Sequence, residues 1–162
     1  MQLFKLSRKF SYYSNRGTSG IDGTVSTAAG ACFATGNLTT LIVGDLGFFY
    51  DSNALMNHFL PSNLRIIIIN NSGGGIFRFI AGPDKTDQLE AFFEVNHKWN
   101  AEYLARNFDV PYYAVNNHKE LEEVLPQFYY SQKNNRPAIL EINTPNKKNA
   151  AILKSYFSYL KD

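Results

Sequence analysis

The sequence predicts one α/β domain over residues 1–162, in which a mostly parallel sheet is sandwiched between helices on both faces. Three observations support this three-layer arrangement. Apolar runs alternate with helical patterns along the chain. The runs are solidly Ile, Val and Leu rather than alternating, which is typical of strands buried on both faces. No internal repeat, linker or low-complexity tract divides the chain.

Each element follows from a local pattern. Strands are predicted at the apolar runs 12–13, 40–43, 64–69, 112–115 and 138–142. Helices are predicted over 21–35, which ends at Gly36, over 53–60, which ends before Pro61, over 99–108, and from about 146 onward. The clearest helix follows a capping box of Asn117 and Glu120, because Leu121, Val124, Leu125 and Phe128 then share one face.

Composition excludes several classes of protein. The 16 basic and 14 acidic residues give a net charge of +2, which argues against a surface that coats nucleic acid. No apolar run reaches the roughly 20 residues of a membrane span. The single cysteine, Cys32, allows no disulfide and favours a reducing cytoplasm. His58, His97 and His118 lack zinc-ligand spacing, so surface or capping roles are expected for them.

Polar and glycine residues follow two of the predicted strands, at Gly44-Asp45-Leu46-Gly47 and at Asn70-Asn71-Ser72-Gly73-Gly74-Gly75. In an open parallel sheet, ligands bind at the carboxyl ends of the strands. Asp45 and Asn71 offer side-chain oxygens and Gly73 a backbone carbonyl, which together suit Mg²⁺. The peptide N–H groups of residues 44–47 and 73–76 are suited to a phosphate beside the metal.

Two familiar phosphate motifs are excluded. No Lys-Ser/Thr pair follows the glycines, so the loop is not a P-loop, and no Gly-x-Gly-x-x-Gly follows a strand. Either glycine stretch alone would be weak evidence for a binding site, since any strand exit or flexible loop can have a similar sequence. The two together, with one helix between them, predict a metal-bound diphosphate.

The paired stretches resemble the cofactor signature of thiamine-diphosphate enzymes. The segments YSNRGTSGIDGTVSTAAG, GDLGFFYDSNAL and NNSGGGIF are similar to the MenD family, the synthases of 2-succinyl-5-enolpyruvyl-6-hydroxy-3-cyclohexene-1-carboxylate in menaquinone (vitamin K2) biosynthesis. The resemblance starts at about Ser14 and is loose between residues 78 and 98. Leu46 stands where thiamine enzymes usually carry Gly, and Gly47 where this family usually carries Ser.

This resemblance implies the thiamine-diphosphate-binding fold and a transferase that needs thiamine diphosphate and Mg²⁺, with Mn²⁺ as a substitute. Enzymes of this family decarboxylate 2-oxoglutarate and add the succinyl carbanion to isochorismate, with release of CO₂. The cofactor carries the difficult chemistry and the protein positions and polarises the reactants. On this resemblance, the chain is the C-terminal diphosphate-binding domain of a cytoplasmic enzyme.

The resemblance also implies roles for residues. It places the metal on Asp45, Asn71 and Gly73, and a substrate carboxylate on Arg16, while Ile76 and Phe77 border the reacting end of the cofactor. It implies cofactor contacts for Ser19, Gly20, Ile21, Gly44, Asp45, Leu46, Gly47, Asn71, Gly73, Gly74, Gly75, Ile76 and Phe77. Simpler interpretations exist for several of these residues. Arg16 could be a surface arginine, and Ile21 could be a core residue in the first turn of a helix. Ile76 and Phe77 could pack at the start of a helix. Asp22 and Asn53 also match the family, but helix capping explains them.

The glutamate that activates the cofactor in this family comes from a separate pyrimidine-binding domain of the partner subunit. No part of this sequence matches that domain or the central domain, so we expect both to be absent and the chain to be inactive alone. Its expected partner is that pyrimidine-binding domain, within a homodimer or homotetramer. Phe48, Phe49 and Tyr50 are expected to be exposed where it docks.

Some alternatives stay open. Residues 78–98 are long for a strand-to-helix connection, so they form either a cover over the site or a peripheral excursion. The chain could be the same domain of another thiamine enzyme, such as an oxo-acid decarboxylase or an acetolactate-type synthase. A non-catalytic module that binds a nucleotide or diphosphate is a third interpretation, since fold alone does not fix function.

Overall fold

A computed structural model describes residues 7–15, 20–80, 82–130 and 136–160 of the chain. Its strands are β1 (Thr39–Gly44), β2 (Leu64–Asn70), β3 (Tyr112–Val115) and β4 (Ala138–Asn143). Its α-helices are α1 (Thr24–Thr35), α2 (Asp45–Tyr50), α3 (Glu102–Asn107), α4 (His118–Tyr130) and α5 (Asn146–Tyr159). Short 3₁₀ turns cover Ser52–Met56, Gly75–Arg78 and Pro83–Lys85, and a π-turn covers Leu89–Phe93.

Within the described residues, the strands form one sheet in the order β1-β2-β4-β3, and every neighbouring pair is parallel. The central position of β2 explains its run of isoleucines. Ile66 and Ile68 belong to the core on one face of the sheet, whereas Ile67 packs against the core on the other. Because successive side chains of a strand point to opposite faces, only an unbroken apolar run satisfies both.

Helices cover both faces. Val25 and Cys32 of α1 and Ala105 of α3 share one buried cluster with β1 and β2. On the opposite face, Phe128 of α4 packs with Val115 of β3 and with residues of β4. The predicted three-layer α/β sandwich with a parallel sheet is therefore confirmed.

Two element predictions were wrong, and a third element, the helix that ends at Gly36 as predicted, starts later than expected. Residues 12–13 form no strand, because nothing in the described chain pairs with them and Tyr13 is 87% exposed. Helix α1 begins at Thr24, after Gly23 in the left-handed conformation (φ 68°). The helix expected at 53–60 is replaced by α2 and a 3₁₀ turn. Gly47 lies inside α2, where a Cβ would stand only 3.3 Å from Val43 Cγ2.

The N-terminal cap of α4 was predictable from the sequence, whereas that of α1 was not. In α4, Asn117 Oδ1 accepts the Glu120 N–H (3.0 Å), while the Glu120 carboxylate accepts the Asn116 N–H (2.7 Å), so the predicted capping box is confirmed in a shifted form. Helix α1 has no cap from its own N-terminal residues, so Asp22 does not cap it. Asp51 serves instead, since its carboxylate accepts the Ser26 N–H (2.7 Å) and hydroxyl (2.8 Å).

The expected aromatic docking surface is also corrected. Phe48 is fully buried and Phe49 is partly buried against the same core, so only Tyr50, 68% exposed, faces outward. The reason is that these residues belong to α2, which packs directly on β1 and β2. No helix within the described ranges has the length and apolar character needed to cross a membrane.

Candidate metal centre

The two polar strand ends lie side by side. Gly44, the last residue of β1, pairs with Ile69 of β2, so Asp45 leaves the sheet next to Asn70 and Asn71. This is the edge at which parallel sheets bind ligands. The space beside Gly44 is open, because a Cβ built there would meet no atom within 4 Å.

Asp45, the first residue of α2, is buried and hydrogen-bonded to the backbone. Its side chain is almost fully buried, and its two oxygens accept three backbone N–H groups. Oδ1 accepts the Leu46 N–H (2.8 Å), while Oδ2 accepts those of Gly73 (3.0 Å) and Asn71 (3.2 Å). The carboxylate thus ties the end of β1 to the turn after β2.

The Asn71 amide completes a cluster of three groups. One of its two terminal atoms lies 2.5 Å from the Gly73 carbonyl oxygen and 3.2 Å from Asp45 Oδ2. With nitrogen at that position, the amide donates to both oxygens. With oxygen there, a carboxylate, an amide and a carbonyl oxygen face one another with no proton between them, which is stable only around a cation.

These three groups fit a hard divalent ion. Oxygen ligands of Mg²⁺ lie at about 2.1 Å, so neighbouring ligands of an octahedron stand about 3.0 Å apart, between the two observed separations of 2.5 and 3.2 Å. A single carboxylate with an amide and a carbonyl leaves room for phosphate oxygens and water. In the described part of the chain, no group of three or more His, Cys, Asp or Glu side chains forms an alternative centre.

Glycine is required at two positions of the turn. Gly73 has φ 152°, and a Cβ there would lie 2.6 Å from the Glu94 carbonyl oxygen. A Cβ on Gly75 would lie 2.5 Å from the Asn71 side-chain nitrogen and 2.8 Å from Asn146 Oδ1. Any larger residue would push the turn or the Asn71 amide away from Asp45.

Residues 94–99 line the other side of this turn. The Glu94 carbonyl accepts the Gly74 N–H (2.6 Å), and the Ser72 carbonyl accepts the His97 N–H (3.2 Å). The His97 side chain is 2% exposed, and its Nε2 lies 3.2 Å from Asp45 Oδ2. The end of segment 78–98 therefore covers the site, and the expected surface or capping role of His97 was wrong.

The predicted phosphate-binding amides are partly occupied. The N–H groups of Gly73, Gly74 and Gly75 donate to Asp45, Glu94 and Gly73 oxygens respectively. An incoming phosphate would meet a turn whose amides already have acceptors. The open space next to Gly44 adjoins the first residues of α2 instead, including the predicted Leu46 and Gly47.

The other predicted residues are distributed as follows. Ile21 precedes α1 and is 46% exposed, so it is not the core residue that the simpler interpretation required, and its carbonyl lies 3.8 Å from the Cβ position of Gly47. Ile76 is 51% exposed, whereas Phe77 packs on Phe93 with ring centroids 5.6 Å apart. Gly20 is exposed. Arg16 and Ser19 lie outside the described residues.

A network of ion pairs fixes segment 78–98. The fully buried Glu94 carboxylate pairs with Arg78 (2.5 Å) and accepts the Asn146 side-chain N–H (3.0 Å). Arg78 also pairs with Glu90 (2.9 Å), which contacts Lys147 (2.8 Å). Hydrogen bonds from Lys147 and Arg78 lower the pKa of Glu90 to about 2, and those to Glu90 and Glu94 raise the pKa of Arg78.

Another buried carboxylate, Glu141 of β4, lies close to the site. It accepts hydrogen bonds from Asn70 Nδ2 (2.6 Å), the Ala101 N–H (2.9 Å) and the Tyr112 hydroxyl (2.5 Å). Burial, followed by the hydrogen bond to Glu141, raises the pKa of Tyr112. Asn70 also donates to the Trp99 carbonyl (2.9 Å), so this cluster joins β2 to the segment that carries His97.

Sequence reasoning missed His97, Glu94 and Glu141. Glu141 had a signal, because a glutamate inside an apolar strand is rarely buried without partners. His97 and Glu94 had none, since they lie in a segment without periodicity and meet Asp45 and the glycine turn only after folding.

The chain is similar to known proteins over most of its length. A family model described as thiamine pyrophosphate enzyme, C-terminal TPP binding domain, matches residues 1–142. Asp45, Asn71 and Gly73 all lie in the matched region.

Several curated proteins are similar over nearly the whole chain. All three named here are called 2-succinyl-5-enolpyruvyl-6-hydroxy-3-cyclohexene-1-carboxylate synthase. The protein from Christiangramia forsetii is 45% identical over 160 residues, which cover 99% of this chain and 27% of the relative. That from Flavobacterium psychrophilum is 43% identical over 159 residues, covering 98% and 28%. That from Bacteroides fragilis is 39% identical over 161 residues, covering 99% and 29%. The chain thus spans less than a third of these relatives.

Proposed function

This chain belongs to the family of thiamine pyrophosphate enzymes as a C-terminal TPP binding domain, and we propose that it holds the metal and diphosphate of a menaquinone-pathway synthase. The relatives are named for the synthesis of 2-succinyl-5-enolpyruvyl-6-hydroxy-3-cyclohexene-1-carboxylate. We extend that activity to this chain as a part of such an enzyme: decarboxylation of 2-oxoglutarate, addition of the succinyl group to isochorismate and release of CO₂.

The single observation that carries the proposal is the convergence of Asp45 Oδ2, the Asn71 amide and the Gly73 carbonyl at the ends of two neighbouring strands. These groups would hold Mg²⁺, or Mn²⁺ in its place. The ion would then neutralise the diphosphate. The diphosphate would lie in the opening beside Gly44, against the first turn of α2. In this arrangement Gly73, Gly74 and Gly75 contribute through small size and a carbonyl, because their amides already have acceptors.

Ile76 and Phe77 would border the reacting end of the cofactor, and the exposed Ile21 would lie beneath the cofactor. When bound, thiamine diphosphate supplies the carbon nucleophile and the electron sink for decarboxylation. The residues of this chain would orient it and exclude water, and Phe77 is held by its packing on Phe93. Arg16, with Ser19 and Gly20 nearby in sequence, would bind a substrate carboxylate, for which a guanidinium fork is well suited.

The rest of the machinery belongs to other parts of the enzyme. A pyrimidine-binding domain of a partner subunit would supply the glutamate that acts as acid and base, within a homodimer or homotetramer in the cytoplasm. We therefore expect no 2-oxoglutarate decarboxylation by the 162-residue chain alone.

Calorimetric titration tests cofactor choice directly. With Mg²⁺ present, thiamine diphosphate should bind the chain more tightly than ADP, which offers the same diphosphate without the thiazolium and pyrimidine rings. Tighter binding of ADP would favour a non-catalytic nucleotide-binding module instead.

A chimera tests the substrates. In it, this chain replaces the matching 160-residue part of the Christiangramia forsetii synthase. We expect the chimera to consume 2-oxoglutarate and isochorismate together, and the same chimera with Asp45→Ala to consume neither. A chimera that decarboxylates 2-oxoglutarate but ignores isochorismate would assign the chain to another class of thiamine enzyme.

A further inference from the structure

His97 is a buried polar side chain whose Nε2 faces the Asp45 carboxylate. Its ring stacks on Trp99, with centroids 4.6 Å apart, and meets the edge of Phe49 at 5.8 Å. This aromatic enclosure leaves the side chain 2% exposed. Water therefore has little access to either ring nitrogen.

The backbone determines which nitrogen carries the proton. Nδ1 accepts the Trp99 N–H (3.1 Å), so the neutral ring has its own proton on Nε2. Among the described residues, none makes an aligned hydrogen bond with Nε2. Its neighbour is Asp45 Oδ2 at 3.2 Å, off the line of the N–H bond. A buried donor without an acceptor is costly, and a small turn of the Asp45 carboxylate would satisfy it.

We propose that His97 is a positioning residue of the metal centre, whose Nε2–H donates to Asp45 Oδ2 and orients the carboxylate toward the ion. This inference rests on the proposed function of Asp45 as a metal ligand. His97 itself is not a ligand in this scheme. Its main-chain N–H bond to Ser72 sets the ring beside the turn that supplies Asn71 and Gly73, so one short segment holds all three oxygens in register.

Two substitutions separate the donor from the packing. His97→Phe keeps a flat ring between Trp99 and Phe49 but has no donor. His97→Gln keeps an N–H donor at a similar reach and loses the stacking. His118→Phe is a matched control, because that side chain is 83% exposed and far along the chain from Asp45.

Free Mn²⁺ is measured by electron paramagnetic resonance while the 162-residue chain is titrated with Mn²⁺ at saturating thiamine diphosphate. Groups that orient a metal ligand typically contribute 10- to 100-fold in affinity. His97→Phe should thus weaken Mn²⁺ binding by about 10- to 100-fold with little change in melting temperature. His97→Gln should restore most of the affinity while melting lower, and His118→Phe should match the wild type.

A second readout does not depend on the metal. Nitrogen-15 spectra of the His97 ring should show the proton on Nε2, and Asp45→Asn should shift that nitrogen alone. Wild-type Mn²⁺ affinity in His97→Phe, or a proton on Nδ1, would overturn the proposal. If the wild-type chain bound no Mn²⁺ with thiamine diphosphate, the proposed function would fall, and the ring spectra would still decide whether His97 donates to Asp45.

Discussion

Two buried carboxylates, Asp45 and Glu141, stand on opposite sides of strand β2 and differ in what surrounds them. Glu141 is fully buried, and each of its neighbours, Asn70, Ala101 and Tyr112, donates a hydrogen bond to it. Asp45 is 3% exposed and also accepts backbone N–H groups. Next to Asp45, however, lie the Gly73 carbonyl and the Asn71 amide, which offer further oxygens, and His97 Nε2, which has no aligned partner in the part of the chain that the structure describes.

The difference separates a structural carboxylate from one prepared for a ligand. Around Glu141 donors and acceptors balance, so nothing is left for an added ion. Around Asp45 acceptors outnumber donors in one orientation of the Asn71 amide, and a cation corrects the excess. Adjacent residues serve the two clusters, because Asn70, the last residue of β2, donates to Glu141, while Asn71, just after the strand, lies beside Asp45.

The largest expected effect is a loss of stability when Glu141, the structural carboxylate, is removed. Glu141→Ala would leave the Asn70 amide, the Ala101 N–H and the Tyr112 hydroxyl buried without their acceptor. We expect the free energy of unfolding to fall by about 3–5 kcal/mol, since each orphaned donor costs about 1–3 kcal/mol. Urea denaturation measures it. A loss below about 1 kcal/mol would show that water or rearrangement satisfies these donors and that the cluster is not closed.

The second largest effect is expected for a substitution in the glycine turn after β2. Gly73→Ala places a Cβ 2.6 Å from the Glu94 carbonyl oxygen at φ 152°, so we expect a loss of about 2–3 kcal/mol together with weaker Mg²⁺ binding. Gly30→Ala in α1 is the matched control, because a Cβ there meets nothing within 4 Å. That variant should be neutral or stabilised by up to about 1 kcal/mol. Equal effects of the two substitutions would remove the special role of the turn.

A smaller effect concerns pH and Tyr112. Removal of its hydroxyl in Tyr112→Phe should cost about 1–2 kcal/mol at neutral pH, because Glu141 keeps two other donors. Since the pKa of Tyr112 is raised in the folded chain, its contribution is complete below about pH 10, where an unfolded tyrosine ionises, and is lost as pH rises further. The wild type should therefore lose stability above pH 10 more steeply than Tyr112→Phe. Parallel pH profiles would contradict this.

The fold was largely predictable because its signals are local. The solid apolar runs located β2, β3 and β4 within a residue or two, and the capping box located α4. The failures occurred where tertiary packing decided the outcome. The start of α2 depended on Gly47 fitting against Val43, and the cap of α1 came from Asp51, distant in sequence. Neither contact leaves a periodic pattern.

The candidate site was predictable where its residues follow local signals, and the prediction was incomplete where tertiary packing brings residues together. Asp45 and Asn71 are recognisable because each follows an apolar strand, and parallel strands must place such residues together. His97 and Glu94 approach from a segment whose path depends on the Arg78–Glu94 pair and on Asn146 of α5. Such long-range pairing has no sequence signature.

The central claim is that Asp45 belongs to a metal and diphosphate site that is already formed on this chain. We would measure the melting temperature with thiamine diphosphate, with and without Mg²⁺, in the wild type and in Asp45→Ala, each against its own ligand-free value. Ligand at 100 times its dissociation constant adds about 2.7 kcal/mol, which is a rise of roughly 5–10 °C. The account predicts this rise only with Mg²⁺ and only in the wild type. An equal rise without Mg²⁺, or in Asp45→Ala, would contradict it.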